Sequence, residues 1–247
     1  MIPTMAVTAV PYLTTDQMIE VDRAMVEDYG IDLVRMMENA GRALAHIARE
    51  RFLTGDPRGR HIVVIAGSGG NGGGVLVAAR RLDNYGAQVT VLVAKPDESL
   101  TPVARDQLAI LRNMGVTVGG ADDARDLAAA DVVLDGLIGY SLRGAPRGAA
   151  AVLIRWANEQ TAPVLSLDAP SGIDTTTGAV FDPAVDAAAT MTLALPKEGL
   201  RTPEVEKNVG DLYLADISVP PELYARFLDL DIPPIFAKAD VVRLVER

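Results

Sequence analysis

Short runs of aliphatic and β-branched residues alternate with longer amphipathic stretches along most of the chain. HIVVIAG (61–67), QVTVLVA (88–94), VTV (116–118), DVVLD (131–135) and PVLSLD (163–168) are near-continuous apolar runs. Runs of this length predict strands buried on both faces. ATMTLAL (189–195) and DLYLADI (211–217) predict two more, with no long helix between them. Helices are predicted over about 73–85, 102–113 and 149–159. Nearer the N-terminus, Thr14-Thr15-Asp16 is a helix-start signal and Gly30 a stop. A second helix begins at Asp32, where Leu33, Met37, Ala40, Leu44 and Ile47 step by 4, 3, 4 and 3 and share one face. PPELYARFLDL predicts a last helix, with Pro220-Pro221 suited to its first turn. The ends, about 1–12 and 230–247, carry the weakest pattern and are expected to be loose.

Strand and helix alternate at βαβ spacing through residue 168. That predicts an α/β protein: a three-layer α/β/α Rossmann-like fold with a mostly parallel sheet. No repeat or linker divides the 247 residues, so one domain is expected, with its core over about 12–230.

Composition narrows the chemistry. The 33 acidic residues outnumber 23 basic ones, for a net charge of −10, which argues against a nucleic-acid or anionic-membrane surface. Cysteine is absent, which removes disulfides, thiolate metal sites and a cysteine nucleophile. Two histidines, His46 and His61, are too few for a multi-histidine site. The N-terminus has no basic segment and carries Pro3 and Pro11, and no run reaches 18 apolar residues. No signal peptide or membrane span is expected, and the cytoplasm is the expected location.

In open parallel sheets, ligands bind at the carboxyl ends of the strands. After the first predicted strand comes Gly67-Ser68-Gly69-Gly70-Asn71-Gly72-Gly73-Gly74, six glycines in eight residues. Glycine lets backbone approach a ligand closely, and the following helix N-terminus offers N–H groups to an anion. Gly67, Gly69 and Gly72 satisfy GxGxxG only formally. The acidic companion expected after the second strand is missing, since the chain there reads Val93-Ala94-Lys95-Pro96. No P-loop or GxSxG motif is present. Asp135 and Asp168 end consecutive strands. Each alone is compatible with a cap or a turn; together, facing a glycine loop, they point to a site. His46 reads as structural, His61 as an exposed strand opener and Lys197 as a surface lysine in a turn. Glu38 and Asn39 either face the site or pack the helix, and Met36-Met37 reads as core.

Six segments, in order, resemble the NAD(P)H-hydrate epimerase family, the YjeF N-terminal domain. MMENAGRALA (36–45) is similar to its second-helix signature, and GSGGNGGGV (67–75) to its GPGNNGGDG loop. DGLIGYSLRG (135–144) matches its Asp-x-apolar-apolar-Gly loop and DAPSGID (168–174) its DIPSG segment. LPKEGL (195–200) and GDLYLADISVP (210–220) match its closing strands. The resemblance implies epimerisation of the R and S forms of hydrated NADH and NADPH (NADHX and NADPHX). It implies substrate contacts at Gly70, Asn71, Gly72, Gly73 and Gly74. A second substrate loop falls on Gly139, Tyr140, Ser141, Leu142, Arg143, Gly144 and Ala145, and a further contact on Asp168. It implies K⁺ at Asn71, Asp135 and Ser171, a homodimer, and partnership with a separate NAD(P)H-hydrate dehydratase. One carboxylate with two neutral oxygens suits a monovalent hard cation better than Ca²⁺ or a soft metal.

The glycine loop departs from the family at Ser68 for Pro, Gly70 for Asn, Gly74 for Asp and Val75 for Gly. The missing carboxylate at Gly74 removes a hydrogen-bond acceptor. Inversion at the hydrated carbon needs either C–O cleavage or ring opening. Both routes need a group that gives and takes a proton, and Asp168 is the candidate. The alternative expectation is a non-catalytic ligand-binding or protein-interaction module of the same fold. A second, an NAD-dependent dehydrogenase, is opposed by the missing acid after the second strand.

Overall fold

The computed structural model describes residues 2–246. Among these, nine strands form one sheet: β1 (Thr4–Ala6), β2 (His61–Ala66), β3 (Gln88–Val93), β4 (Thr117–Gly120), β5 (Val132–Gly136), β6 (Val164–Leu167), β7 (Ala189–Leu193), β8 (Asp211–Ala215) and β9 (Val241–Val245). Their order is β1-β9-β8-β7-β6-β5-β2-β3-β4. Every neighbouring pair is parallel except β8 with β9.

The helices are α1 (Thr15–Glu27), α2 (Leu33–Ile47), α3 (Gly70–Asn84), α4 (Pro102–Asn113), α5 (Gly148–Glu159), α6 (Glu206–Val209) and α7 (Pro221–Leu228). Alternation along the central strands sets the layers. Ile62, Val64 and Ala66 of β2 join the larger core, with α1, α2, α3, α4 and α7. Val63 and Ile65 face the other way and pack with Leu153, Ile154 and Ala157 of α5. Two apolar faces on one strand require cover on both sides, which is the three-layer arrangement.

Local signals account for the helix starts. Thr14 and Gln17 form a reciprocal capping box, with Thr14 Oγ1 accepting from Gln17 N–H and Gln17 Oε1 from Thr14 N–H. Asp32 accepts from Arg35 N–H at 3.0 Å and caps α2. One boundary differs from expectation. α3 begins at Gly70, three residues early, so the glycine run itself becomes the helix N-terminus. α2 passes very close to it: a Cβ at Gly41 would lie 2.5 Å from Val77 Cγ1 and 2.7 Å from Gly74 O.

Among the described residues both ends join the sheet, while Met1 and Arg247 lie outside them. β1 pairs parallel to β9, with Met5 opposite Leu244, and β9 pairs antiparallel to β8. Val241, Val242 and Leu244 are buried. The β-branched run VVRLV was a strand signal, hidden by its place at the chain end. Leu244→Ala is expected to cost about 2–4 kcal/mol in chemical denaturation, as for other buried leucines. A loose tail would show almost no change.

Candidate functional site

A cavity of about 240 Å³ opens at the carboxyl edge of the sheet. α1 and α2 supply its apolar wall through Met18, Met36 and Met37, and Leu167, Leu193 and Ile217 supply its floor. Its polar groups come from Asp22 of α1, Asn71 of α3, the loop 139–141 and Asp168.

Asp168 is the first residue past β6 and has φ +67°, a left-handed conformation uncommon for a side-chain-bearing residue. Ala194 and Ser218, just past β7 and β8, share it at +62° and +69°. Such backbone persists only where its surroundings fix it. At Asp168 the fixing contacts are visible. Oδ1 accepts from Lys197 Nζ at 2.5 Å, and Oδ2 accepts from Tyr140 N–H at 2.9 Å. Lys197 also donates to Thr192 Oγ1 at 3.3 Å and to Leu193 O at 3.0 Å. Three acceptors meet the three ammonium protons.

Lys197 corrects the reading of a surface lysine, because it is 0% exposed. The turn that carries it is clamped to the N-terminal segment. Leu13 N–H donates to Pro196 O at 2.8 Å, and Glu198 N–H to Leu13 O at 2.9 Å. That long-range clamp leaves no periodic trace in LPKEGL.

Asp135 is fully buried at the end of β5. Oδ1 accepts from Leu137 N–H at 3.1 Å and Ser171 Oγ at 2.7 Å. Oδ2 accepts from Ser166 Oγ and Ser171 N–H, both at 2.9 Å. No cationic side chain is among these partners, and burial pushes the acid above the usual carboxylate range. Asn71 stands in the first turn of α3, its buried Nδ2 without a partner among the described residues. Asp135 and Ser171 are therefore in contact. Asn71 reaches the neighbouring loop: a Cβ at Gly139 would lie 3.2 Å from Asn71 Cγ and 2.8 Å from Asp168 Oδ2. Only glycine lets that loop come so close.

The glycine run divides in two. Gly70 and Gly74 line the cavity, whereas Gly72 and Gly73 do not. A Cβ at Gly72 would lie 2.0 Å from Gly67 O, and one at Gly73 2.5 Å from Met37 Sδ. At both positions the neighbouring backbone or side chain stands where a Cβ would go. The second loop divides similarly. Gly139, Tyr140 and Ser141 line the cavity, while Leu142, Arg143, Gly144 and Ala145 are not part of its lining.

Asp22 was not foreseen. It is held in a hydrogen bond from the Tyr140 hydroxyl, and burial pushes both groups' pKa values up. The signal was present: Asp22 is one turn from Met18 and three residues before Met25, on the apolar stripe of α1. Glu38 and Asn39 do not reach the cavity; Glu38 pairs with Arg80 and Arg81, and Asn39 donates to Ser218 Oγ at 3.1 Å. His46 is half-buried on α2, and burial lowers its pKa. His61 opens β2 half-buried, with its N–H donated to Asp131 Oδ2 at 2.8 Å. Among the described residues, no helix is long and apolar enough to cross a membrane.

Removing one member of a buried ion pair strands the other. Lys197→Met alone, or Asp168→Asn alone, is expected to cost about 3–5 kcal/mol. The double variant is expected to recover much of that loss, so a double-mutant cycle by urea denaturation should show strong coupling. Additive losses would mean that the two groups are not paired.

Residues 34–199 match the family model described as YjeF-related protein N-terminus. The chain is 42% identical over 221 residues to a protein of Dehalogenimonas lykanthroporepellens named NAD(P)H-hydrate epimerase, covering 88% of this chain and 86% of that one. It is 37% identical over 225 residues to a Salinibacter ruber protein named bifunctional NAD(P)H-hydrate repair enzyme Nnr, covering 85% of this chain and 41% of that one. The chain thus spans less than half of the bifunctional relative. The crystal structure of yeast ynu0 superposes with a TM-score of 0.81 at 24% identity, over 95% of this chain and all of that one, and shows the same fold. By its matched family segment and its identity to these relatives, the chain belongs to the YjeF-related N-terminal family.

Proposed function

We propose that this protein epimerises the hydrated reduced cofactors NADHX and NADPHX. The observation that carries the reading is Asp168, held by buried Lys197 and lining a cavity at the sheet's carboxyl edge. Support comes from the name shared by the Dehalogenimonas relative and one of Cenarchaeum symbiosum, 39% identical over 191 residues. The hydrated ring enters the cavity, and Asp168 exchanges a proton with it. Lys197 and the Tyr140 N–H fix the carboxylate's orientation, so that it meets the substrate without rearranging. The first turn of α3 offers backbone N–H groups to the pyrophosphate, in the manner of other helix N-termini. Where the family loop carries Asp, Gly74 leaves an apolar wall: a Cβ there would lie 2.8 Å from Leu167 Cδ2.

K⁺ belongs to the same proposal. Asp135 is a buried carboxylate without a cationic partner, Ser171 lies on it, and the Asn71 side chain stands against Gly139 of the loop that follows β5. Buried charges are ordinarily paired or bound to a metal, and this donor set fits a monovalent cation. Such an ion supplies charge neutralisation for Asp135 and ties the loops after β2, β5 and β6 together. A homodimer, a cytoplasmic setting and a separate dehydratase acting on the same hydrated cofactors complete the proposal. The competing reading, a non-catalytic module of the same fold, predicts no acceleration of R/S interconversion.

Two measurements follow. In an R/S interconversion assay followed by chromatography, Asp168→Asn is expected to lose about 10²–10⁴-fold in rate while nucleotide binding falls far less. An undiminished rate would remove Asp168 as the proton carrier. In thermal melts at equal ionic strength, K⁺ is expected to raise the melting temperature over Na⁺, since a ligand bound only by the native state stabilises it. The sign with pH follows from Asp135. Its raised pKa means that stability without the ion falls as pH rises through the folded value, so the K⁺ increment should grow over that range. Asp135→Asn should abolish the increment. Superimposable melts in the two salts would remove the ion site.

A further inference from the structure

Asp22 lies on the buried stripe of α1, one turn from Met18, and both side chains line the cavity. Its hydrogen-bond partner is a phenol, the Tyr140 hydroxyl. The backbone N–H of the same tyrosine binds the other acid, Asp168. One residue therefore ties together two carboxylates of a single cavity, and those carboxylates keep different company. Asp168 accepts directly from an ammonium, whereas Asp22 is bonded to a neutral group. Two acids in unlike surroundings within one pocket are the arrangement that separates a proton donor from a proton acceptor.

We propose that Tyr140 and Asp22 form the second proton-transfer pair of this cavity, with Tyr140 Oη touching the substrate ring and Asp22 the positioning residue that replenishes its proton. The inference rests on the epimerase reading and deepens it. Burial raises the pKa of Asp22, and the hydrogen bond donated by Tyr140 works against it. The groups facing the pair are few. Lys197 lowers Asp22 and Asp168 raises it. Tyr224 of α7 stands near as well, its own pKa raised by burial, with the charges of Asp216 and Asp22 adding.

The step is a reversible ring opening. Asp168 takes the proton from the hydroxyl on the hydrated carbon, and that oxygen becomes a carbonyl as the bond from the carbon to the ring nitrogen breaks. The electron pair goes to the nitrogen, which takes the Tyr140 proton, and Asp22 passes its proton to Tyr140 Oη. Rotation about the adjacent C–C bond presents the other carbonyl face. The nitrogen attacks that face, every proton moves back, and the opposite configuration results. No atom enters or leaves.

The test uses R-NADHX as probe, with kcat and KM measured across pH for the intact wild type, Tyr140→Phe, Asp22→Asn and Asp22→Glu. Tyr140→Phe and Asp22→Asn are expected to lose about 10²-fold or more in kcat with KM little changed, and Asp22→Glu to recover part of it. Wild-type kcat should fall on the alkaline side as Asp22 loses its proton, and that limb should be missing from Asp22→Asn. The melting temperature of Asp22→Asn at neutral pH should equal or exceed wild type, because a half-buried acid has become a neutral isostere; lost rate is then not lost fold. In isotopically labelled water, the inverted product should carry no labelled oxygen. Full wild-type kcat in both variants, an alkaline limb unchanged in Asp22→Asn, or label in every inverted product would each overturn the proposal. A wild type that does not accelerate inversion would overturn the epimerase reading along with it; an active wild type with fully active variants would overturn the pair alone.

Discussion

An ammonium group with no exposed surface is tolerable only where acceptors surround it, and Lys197 imposes that condition on the carboxyl edge of this sheet. Its three acceptors come from Asp168 after β6 and from Thr192 and Leu193 of β7. The turn beneath it is clamped by Leu13, and Asp168 in turn receives the loop N–H of Tyr140. One charge thereby fixes the N-terminal segment, two strand ends and the loop that reaches the cavity. Buried pairs of this kind add little net stability, because desolvation offsets the attraction. What they add is a single arrangement, and here that arrangement orients an acid toward an apolar cavity.

The second constraint is backbone crowding. Gly67, Gly72 and Gly139 each stand where a Cβ would meet a neighbouring carbonyl or carboxylate oxygen at 2.8 Å or less. Close approach at these positions brings the loops after β2 and β5 together and leaves the α3 N-terminus beside the cavity. The left-handed residues past β6, β7 and β8 complete the same edge. The rest of the sheet is ordinary, with alternating aliphatic faces and helices on both sides. Of the five left-handed non-glycine residues among those described, three lie along this edge, and Thr54 and Asp229 lie elsewhere.

The fold was legible where short-range rules decide it. Thr14 and Asp32 mark their helices, and the HIVVIA and VVLDG runs mark central strands, because capping and two-sided burial leave local signatures. Asp135 and Asp168 were legible for a topological reason: they follow strands that end at the ligand edge. What was not legible depended on distant partners. Lys197 has the sequence surroundings of a surface turn, and only the Leu13 clamp buries it. Asp22 broke the apolar stripe of α1, but its meaning required Tyr140, 118 residues away. The contacts that hem in Gly72 and Gly73, from the Gly67 backbone and the Met37 side chain, leave no mark in the glycine run itself. The terminal strands need each other, so neither end announces itself alone.

The central claim is that the hydrated nicotinamide ring is inverted in this cavity, against Asp168. The most direct measurement is a crystal structure of Asp168→Asn soaked with R-NADHX, the variant being used to hold the substrate unturned. The account predicts the hydrated carbon's hydroxyl within about 2.6–3.2 Å of the residue 168 side chain, the range for proton transfer, with the pyrophosphate at the first turn of α3. A nicotinamide ring seated outside the cavity, away from residue 168, would contradict it.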